Sequence, residues 1–380
     1  MTGTKTILKL TGPIGGATLA LLAACGPTDH PGTAVAPAVA RDAPRAPYRV
    51  AMPVPSPVYL VNHPPERLQL AIAQLHRRFV GTSGIAVRAV DAGWTVEAGG
   101  RQRLPQQSVS KLWVAITVLD QLDAGRLSLA TPVLVRPQDL TLFHQPIAAL
   151  VAKSGGYQTT VGDLLDRALT HSDNTANDRL LHLVGGPGVV RSTMLGKQLG
   201  DIRFGPGERA LQSGTAGLTW QPSYAVGNSF EIARSHLSMD RRVAALDSYL
   251  ADPPDGAAPL AIADALARLA RGELLSPAST AYLLRTMGNS VTGRARLRAA
   301  LPAGWQIAHK TGTGQDLGAR SAGFNDVGLL TAPDGTRFAI AVMIGDTTRP
   351  MRERQELIQA VASAVTEYEA GHGGGSEAAN

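Results

Sequence analysis

The 380-residue sequence contains a single cysteine, Cys25. No intrachain disulfide is therefore possible, and an oxidising compartment is permitted but not exploited. The nine histidines show no spacing that resembles a zinc site, which argues against a metal-dependent enzyme. Aromatic residues make up only 4% of the chain and charged residues 17%. The formal net charge of +6 is spread out. Its densest run, "GRARLRAA" (Arg294, Arg296, Arg298), has no interleaved aromatics and reads as a solvated basic face, not a nucleic-acid surface. The N-terminal apolar stretch, "LTGPIGGATLALLAACG", is too short and too rich in glycine to cross a bilayer. What remains is ordinary for a globular protein: 44% apolar residues, and length enough for a sizeable core.

Lys5 and Lys9 precede that apolar stretch, the layout of an export signal. Its end, Leu22-Ala23-Ala24-Cys25, resembles a bacterial lipobox, in which the cysteine is lipidated and becomes the first mature residue. Residues 1–24 are thus expected to be a lipoprotein signal peptide. Residues 25–65 are rich in proline and alanine with no sustained period, and read as a semi-extended tether. Such a protein would be periplasmic and held by lipid at the bacterial membrane, the outer membrane being the expected one. Residues 66–370 form the folded body, and residues 371–380 a disordered tail.

Within that body, "PERLQLAIAQLHRRF" carries a helical stripe at Leu68, Ile72, Leu75 and Phe79. "GIAVRAVDAGWTVEAGG" predicts two strands joined at "DAG". A helix-rich middle runs from Ser108 to about Leu301 and includes the stripe Ile262, Leu266 and Leu269, closed by Gly272 and Pro277. "WQIAHKTG", "DVGLLTAPDG" and "TRFAIAVMIGD" predict three strands, and "ERQELIQAVASAVTEY" a closing helix. Strands at both ends around a helical middle predict an α+β fold: one antiparallel sheet built from both termini, flanked by helices, with an inserted all-α subdomain. A groove between two such parts is where small molecules bind.

Three short motifs bear on chemistry. "QQSVSKLW" places Ser108 and Lys111 one helical turn apart at the head of an apolar run. A serine needs a neighbour to take its proton, and a lysine can be that neighbour. Ser-x-x-Lys alone is common, and an N-cap followed by a snorkelling lysine fits as well. Ser172-Asp173-Asn174 opens a predicted helix continued by Leu180, Leu181 and Leu183, where capping is again the simpler account. Lys310-Thr311-Gly312-Thr313-Gly314 ends a predicted strand, with a cation and hydroxyls suited to a carboxylate.

Together and in this order, Ser108-Val109-Ser110-Lys111, Ser172-Asp173-Asn174 and Lys310-Thr311-Gly312 make the chain resemble the class A serine β-lactamases, from about Glu66 to Glu369. The resemblance implies that Ser108 attacks a β-lactam carbonyl and is acylated. Lys111 would activate it, alone or with Glu208 through a water. It implies that Ser172 passes a proton to the ring nitrogen and Asn174 holds the acyl side-chain amide. Lys310, Thr311 and Thr313 would receive the substrate carboxylate, with Arg320 as the accompanying arginine, and the N–H groups of Ser108 and Thr313 would form the oxyanion hole. "GERALQSG" lies 36 residues beyond Ser172 and supplies Glu208 as the deacylating base and Gln212 as the water-holding amide. Gln212 stands where the family has asparagine, Arg209 where it has proline, and "FGPG" precedes in place of Arg-Trp.

Residues 215–256 look like an insertion, and hold Trp220, Tyr224, Phe230 and Tyr249. Structural elaboration, a wall for the groove and altered substrate recognition are all compatible with it. Phe143 or His144 would supply the aromatic rim of the groove, and His309 reads as a strand residue. The expected partner is a small-molecule β-lactam, with no cofactor, no metal, no nucleic acid and a monomeric state. A penicillin-binding D,D-peptidase or esterase, or a sensor that acylates and stops, would share Ser108, Lys111, Ser172 and Lys310 without needing Glu208.

Overall fold

A computed structural model describes residues 63–373. The signal peptide, Cys25 and nearly all of the tether lie outside the described residues. Five strands form the main sheet: β1 (Thr82–Ala89), β2 (Thr95–Ala98), β3 (Gln306–Thr313), β4 (Phe324–Thr331) and β5 (Arg337–Asp346). Their order is β2-β1-β5-β4-β3, with every neighbour antiparallel. The sheet is therefore built from both ends of the chain, as the strand patterns predicted.

Among the helices of the described residues, eight bear on the argument: α1 (Glu66–Arg78), α2 (Lys111–Asp123), α3 (Asn174–Leu183), α4 (Glu208–Thr215), α5 (Ser229–Ser235), α6 (Met239–Ala251), α7 (Pro259–Ala270) and α8 (Met351–Gly373). The period of two along β5 sorts its side chains. Phe338, Ile340, Val342 and Ile344 pack with Leu68 and Ile72 of α1 and Ile358 and Val361 of α8. Ala339, Ala341 and Met343 meet the other core, which contains Ile262 and Leu266 of α7. Alanines on that face let α7 lie close to the sheet. The last helix runs through Gly373, so residues 371–373 are not part of a tail. A glycine costs a helix only about 1 kcal/mol, too little to stop one whose earlier turns are docked.

The helical part enters between β2 and β3 and is not all-α as expected, because Pro132–Val135 and Tyr157–Thr160 pair there as a short antiparallel ribbon. At its centre α2 is buried from Lys111 to Leu119, so no face is left for solvent. A buried helix beginning on a lysine has to bring that lysine a partner.

The 215–256 segment forms α5, α6 and their connections. Tyr224 and Phe230 are buried with Leu142 and Ala216, and Trp220 packs on them. Leu246 and Tyr249 are buried with Leu211 and Ala322, joining α6 to α4 and to the strand side of the fold.

Candidate active site

Ser108 sits in a 3-10 turn, Gln107–Ser110, that leads into α2. The turn starts from a strained backbone. Gln107, Phe143 and Ser172 account for three of the four non-glycine residues with positive φ among the described residues. All three line the groove or adjoin it, and such conformations cost about 1–3 kcal/mol each unless the surroundings hold them. Gln107 is held tightly. Its backbone N–H donates to Asp255 Oδ2 at 2.8 Å, and its Nε2 donates to the Tyr249 hydroxyl at 2.7 Å. That hydroxyl in turn donates to Asp255 Oδ1 at 3.0 Å. Burial raises the Asp255 carboxyl to about 6, against the lowering effect of these donors. Tyr249 belongs to the 215–256 segment, which thus grips the turn bearing Ser108.

Lys111 is the hub. Its Nζ donates to Ser108 Oγ at 2.7 Å, Asn174 Oδ1 at 2.8 Å and Glu208 Oε1 at 2.6 Å. The Lys111–Glu208 pair is almost completely buried. Such a pair gains little net stability, yet deleting one partner costs about 3–5 kcal/mol. Glu208 is the first residue of α4, and its N–H donates to Asp178 Oδ1 at 3.1 Å. Burial first, and then the charge of Glu208, raises the Asp178 carboxyl to about 6.

Gln212 lies one turn along α4. Its Nε2 donates to Glu208 Oε2 at 3.3 Å and to Gln107 Oε1 at 3.1 Å, and its Oε1 accepts from Gln315 Nε2 at 3.1 Å. The longer side chain still delivers its amide to the glutamate. Arg209, in place of proline, anchors the loop: Nη2 donates to the carbonyls of Gln138 (2.5 Å) and Leu140 (3.1 Å), with the guanidinium 5.3 Å from the Trp220 ring centroid.

Asp173, not Ser172, caps α3. Its Oδ1 accepts from Ala176 N at 2.9 Å and its Oδ2 from Ile147 N at 2.7 Å, an arrangement worth about 1 kcal/mol at such a cap. Ser172 and Asn174 are left to face the groove. Asn174 Nδ2 donates to the Leu142 carbonyl at 2.9 Å. Across the groove Lys310 Nζ donates to Ser172 Oγ at 2.9 Å. Lys310 is fully buried, and burial, followed by the charges of Lys111 and Arg296, pushes its ammonium well below the ordinary lysine value. Gly312 is required between Lys310 and Thr313, because a Cβ there would overlap the Gln106 carbonyl oxygen behind Ser108.

The groove encloses about 570 Å³, within the usual range for small-molecule sites. Ser108, Ser172, Asn174, Gln212, Thr311 and Thr313 all line it, as do Phe143 and His144. Phe143 meets Phe230 edge to face at 5.2 Å between centroids, so the 215–256 segment buttresses the groove's wall. His309 is a buried strand residue, its Nδ1 2.8 Å from Asp326 Oδ1.

Arg320 is not in the groove. It forms a two-pronged pair with Asp346 at 2.9 and 2.8 Å and a third contact with Asp247 at 2.5 Å, which together raise its pKa. Arg234 does line the groove, and so does Arg296, which reaches the end of β3. Its Nη2 donates to Thr313 Oγ1 at 2.6 Å, its Nη1 to the carbonyls of Gly312 (3.1 Å) and Asn325 (2.5 Å), and it lies 3.7 Å over the Phe324 ring. Burial brings its pKa down to about 10. The sequence reading placed Arg296 on a solvated face with Arg294 and Arg298. Only the distant strand residues beneath it reveal the difference.

Among the described residues, no group of three or more His, Cys, Asp or Glu could hold a metal ion, and no helix is long and apolar enough to cross a membrane. A serine hydrogen-bonded to a buried lysine, a loop glutamate on that lysine, and a second serine on a second lysine define a serine hydrolase of the β-lactam-recognising type. Comparison with known proteins agrees. The model of the β-lactamase enzyme family matches residues 67–368. The extended-spectrum β-lactamase PER-1 of Pseudomonas aeruginosa is 29% identical over 290 residues, covering 76% of this chain and 82% of that protein. β-Lactamase OXY-1 of Klebsiella oxytoca is 26% identical over 304 residues, covering 80% and 89%. The crystal structure of a β-lactamase from Chitinophaga pinensis is similar with a TM-score of 0.65 at 27% identity, over 80% of this chain and 99% of that one. The chain belongs to the β-lactamase enzyme family, as a serine enzyme of class A.

Proposed function

We propose that the protein hydrolyses the β-lactam amide through an acyl-enzyme on Ser108. The observation that carries this reading is the threefold bonding of Lys111 Nζ to Ser108, Asn174 and Glu208. An amine that passes one proton to Glu208 Oε1 is free to accept the proton of Ser108 Oγ. The alkoxide adds to the lactam carbonyl, with the N–H groups of Ser108 and Thr313 as donors to the oxyanion. Collapse breaks the C–N bond, and Ser172 Oγ, hydrogen-bonded to Lys310, protonates the departing nitrogen. The proton lent to Glu208 returns through Lys111 to Ser172, which leaves Glu208 a carboxylate again. Glu208 then takes a proton from a water positioned with Gln212, the hydroxide cleaves the ester, and that proton passes back through Lys111 to the released Ser108 oxygen. Lys310, Thr311, Thr313 and Arg296 receive the ring carboxylate. Asn174 receives the side-chain amide.

The reading is tested by rapid-quench intact mass of the protein mixed with benzylpenicillin. A transient adduct of one whole penicillin, mapped to the peptide containing Ser108 and decaying to open product, is the expected result. An adduct that never decays would mark a sensor or peptidase-like binder. An adduct on any other residue would overturn the assignment of Ser108.

The N-terminal reading extends the proposal to place. Lys5, Lys9 and Leu22-Ala23-Ala24-Cys25 support export and lipidation at Cys25, with the monomeric enzyme held at the periplasmic face of the membrane. One acyl chain anchors only weakly, so stable attachment needs several. Cys25→Ser is expected to move the protein from the membrane fraction to the soluble fraction and abolish palmitate labelling. Membrane retention of the variant would refute the anchor.

A further inference from the structure

Two arginines of the 215–256 segment, Arg234 at the groove and Arg242 in the cleft next to it, have no ion-pair partner among the described residues. Arg234, on α5, lines the groove beside Gln315 and Asp316, just beyond Thr313. Its Nη2 donates to the Asp316 carbonyl oxygen at 2.8 Å, while the Asp316 carboxylate lies 3.9 Å from Arg354. Arg242, on α6, shares a narrow cleft with Arg234 and Asp316. Neither guanidinium forms an ion pair among the described residues, and each keeps a buried Nε–H with no acceptor. Burial, then the charge of Arg242, lowers the pKa of Arg234, with Glu231 and Asp316 opposing from beyond contact distance. Adjacent, partly desolvated cations with idle donors are an arrangement that an anion would relieve.

The groove's own order says which anion. Lys310, Thr311 and Arg296 answer the ring carboxylate at one end, and Asn174 answers the side-chain amide. Arg234 bonds the Asp316 carbonyl next to Gln315, which itself donates to Gln212, and so lies beyond the end of the strand away from Lys310. On α5, Phe230 and Arg234 are four residues apart and share one face. Phe230 supports the aromatic wall at Phe143, and Arg234 sets a cation next to that wall.

We propose that Arg234, reinforced by Arg242, is an anion subsite for a carboxylate borne on the acyl side chain of the β-lactam. This rests on the acyl-enzyme reading above and deepens it: the inserted helices select acidic side chains. Two substrate pairs test it at two reaches. Carbenicillin is benzylpenicillin with one added side-chain carboxylate. Ceftazidime carries a carboxylate on its oxime where cefotaxime carries a methyl group. The quantity read is the ratio of kcat/KM, acidic over neutral, which cancels any general loss of activity.

In at least one pair, Arg234→Gln is expected to lower that ratio about tenfold, the scale of one charge-assisted hydrogen bond. Arg242→Gln should lower it less, and Arg234→Lys should keep most of it. The wild-type ratio should also fall with added NaCl, because an exposed pair is screened. An unchanged ratio for both pairs in Arg234→Gln overturns the subsite. If wild type turns over none of the four compounds, the acyl-enzyme reading fails first, and the two failures are told apart.

Discussion

Glu208→Gln is expected to convert the enzyme into one that acylates and then stalls. Mixed with benzylpenicillin, the variant should accumulate a stable adduct on Ser108, with deacylation slowed about 10²–10⁴-fold, the usual worth of a general base. Acylation also slows, because Lys111 can no longer pass its proton to position 208, but deacylation suffers more, since the water then has no acceptor beside it. Ser108 Oγ touches Lys111 Nζ directly, whereas Glu208 reaches the serine only through that lysine. The carboxylate is also the residue bonded to the Gln212 amide, the pair assigned to the hydrolytic water. Glutamine keeps the shape and can still accept from Lys111 through its carbonyl oxygen, so the ammonium is not left without a partner. Glu208→Ala removes that partner from a buried cation, at about 3–5 kcal/mol, and should melt at lower temperature as well as stall. If Glu208→Gln forms no adduct while remaining folded, the carboxylate is needed to activate Ser108 and Lys111 does not suffice. If it turns over at the wild-type rate, Glu208 is not the base.

Local signals in the sequence carried most of this. The helix and strand patterns predicted one sheet built from both termini, and the three motifs with Glu208 and Gln212 named residues that the fold brings together. These were legible because each motif is short and each element's period is set by burial on one face. What escaped is bonding across long sequence distances. Arg296 lies in a run that reads as surface, but it stacks on Phe324 and binds Thr313. Arg320 carries the same charge near the same strand end, but Asp346 and Asp247 hold it elsewhere. Nothing local distinguishes the two arginines. Tyr249 and Asp255 escaped for the same reason, since their partner Gln107 lies more than 140 residues away. The substitutions at positions 209 and 212, which on sequence put the loop geometry in question, come with their own supports: carbonyls and Trp220 for Arg209, and Gln107 with Gln315 for Gln212.

The alkaline limb of the pH profile is where Lys310 should declare itself. Its ammonium is held below the ordinary lysine value of 10.5 by burial and by Lys111 and Arg296, with Glu208 and Asp326 opposing. As pH rises through that lowered pKa, the cation that meets the ring carboxylate is lost. kcat/KM for benzylpenicillin should then fall by up to about tenfold per pH unit, beginning well short of 10.5. A bound carboxylate restores the favourable charge, so the limb in kcat should lie at higher pH than the limb in kcat/KM. Stability must move the other way. The folded pKa lies below the unfolded one, so between the two the unfolded chain binds more protons and folding gains with pH. Activity falling while this group makes the fold more stable separates titration from denaturation. Lys310→Arg keeps its charge across the range and should push the limb upward even if its overall rate is lower. Lys310→Gln should be slow throughout with no such limb. An alkaline limb at the same pH in wild type and Lys310→Arg would assign the titration to another group.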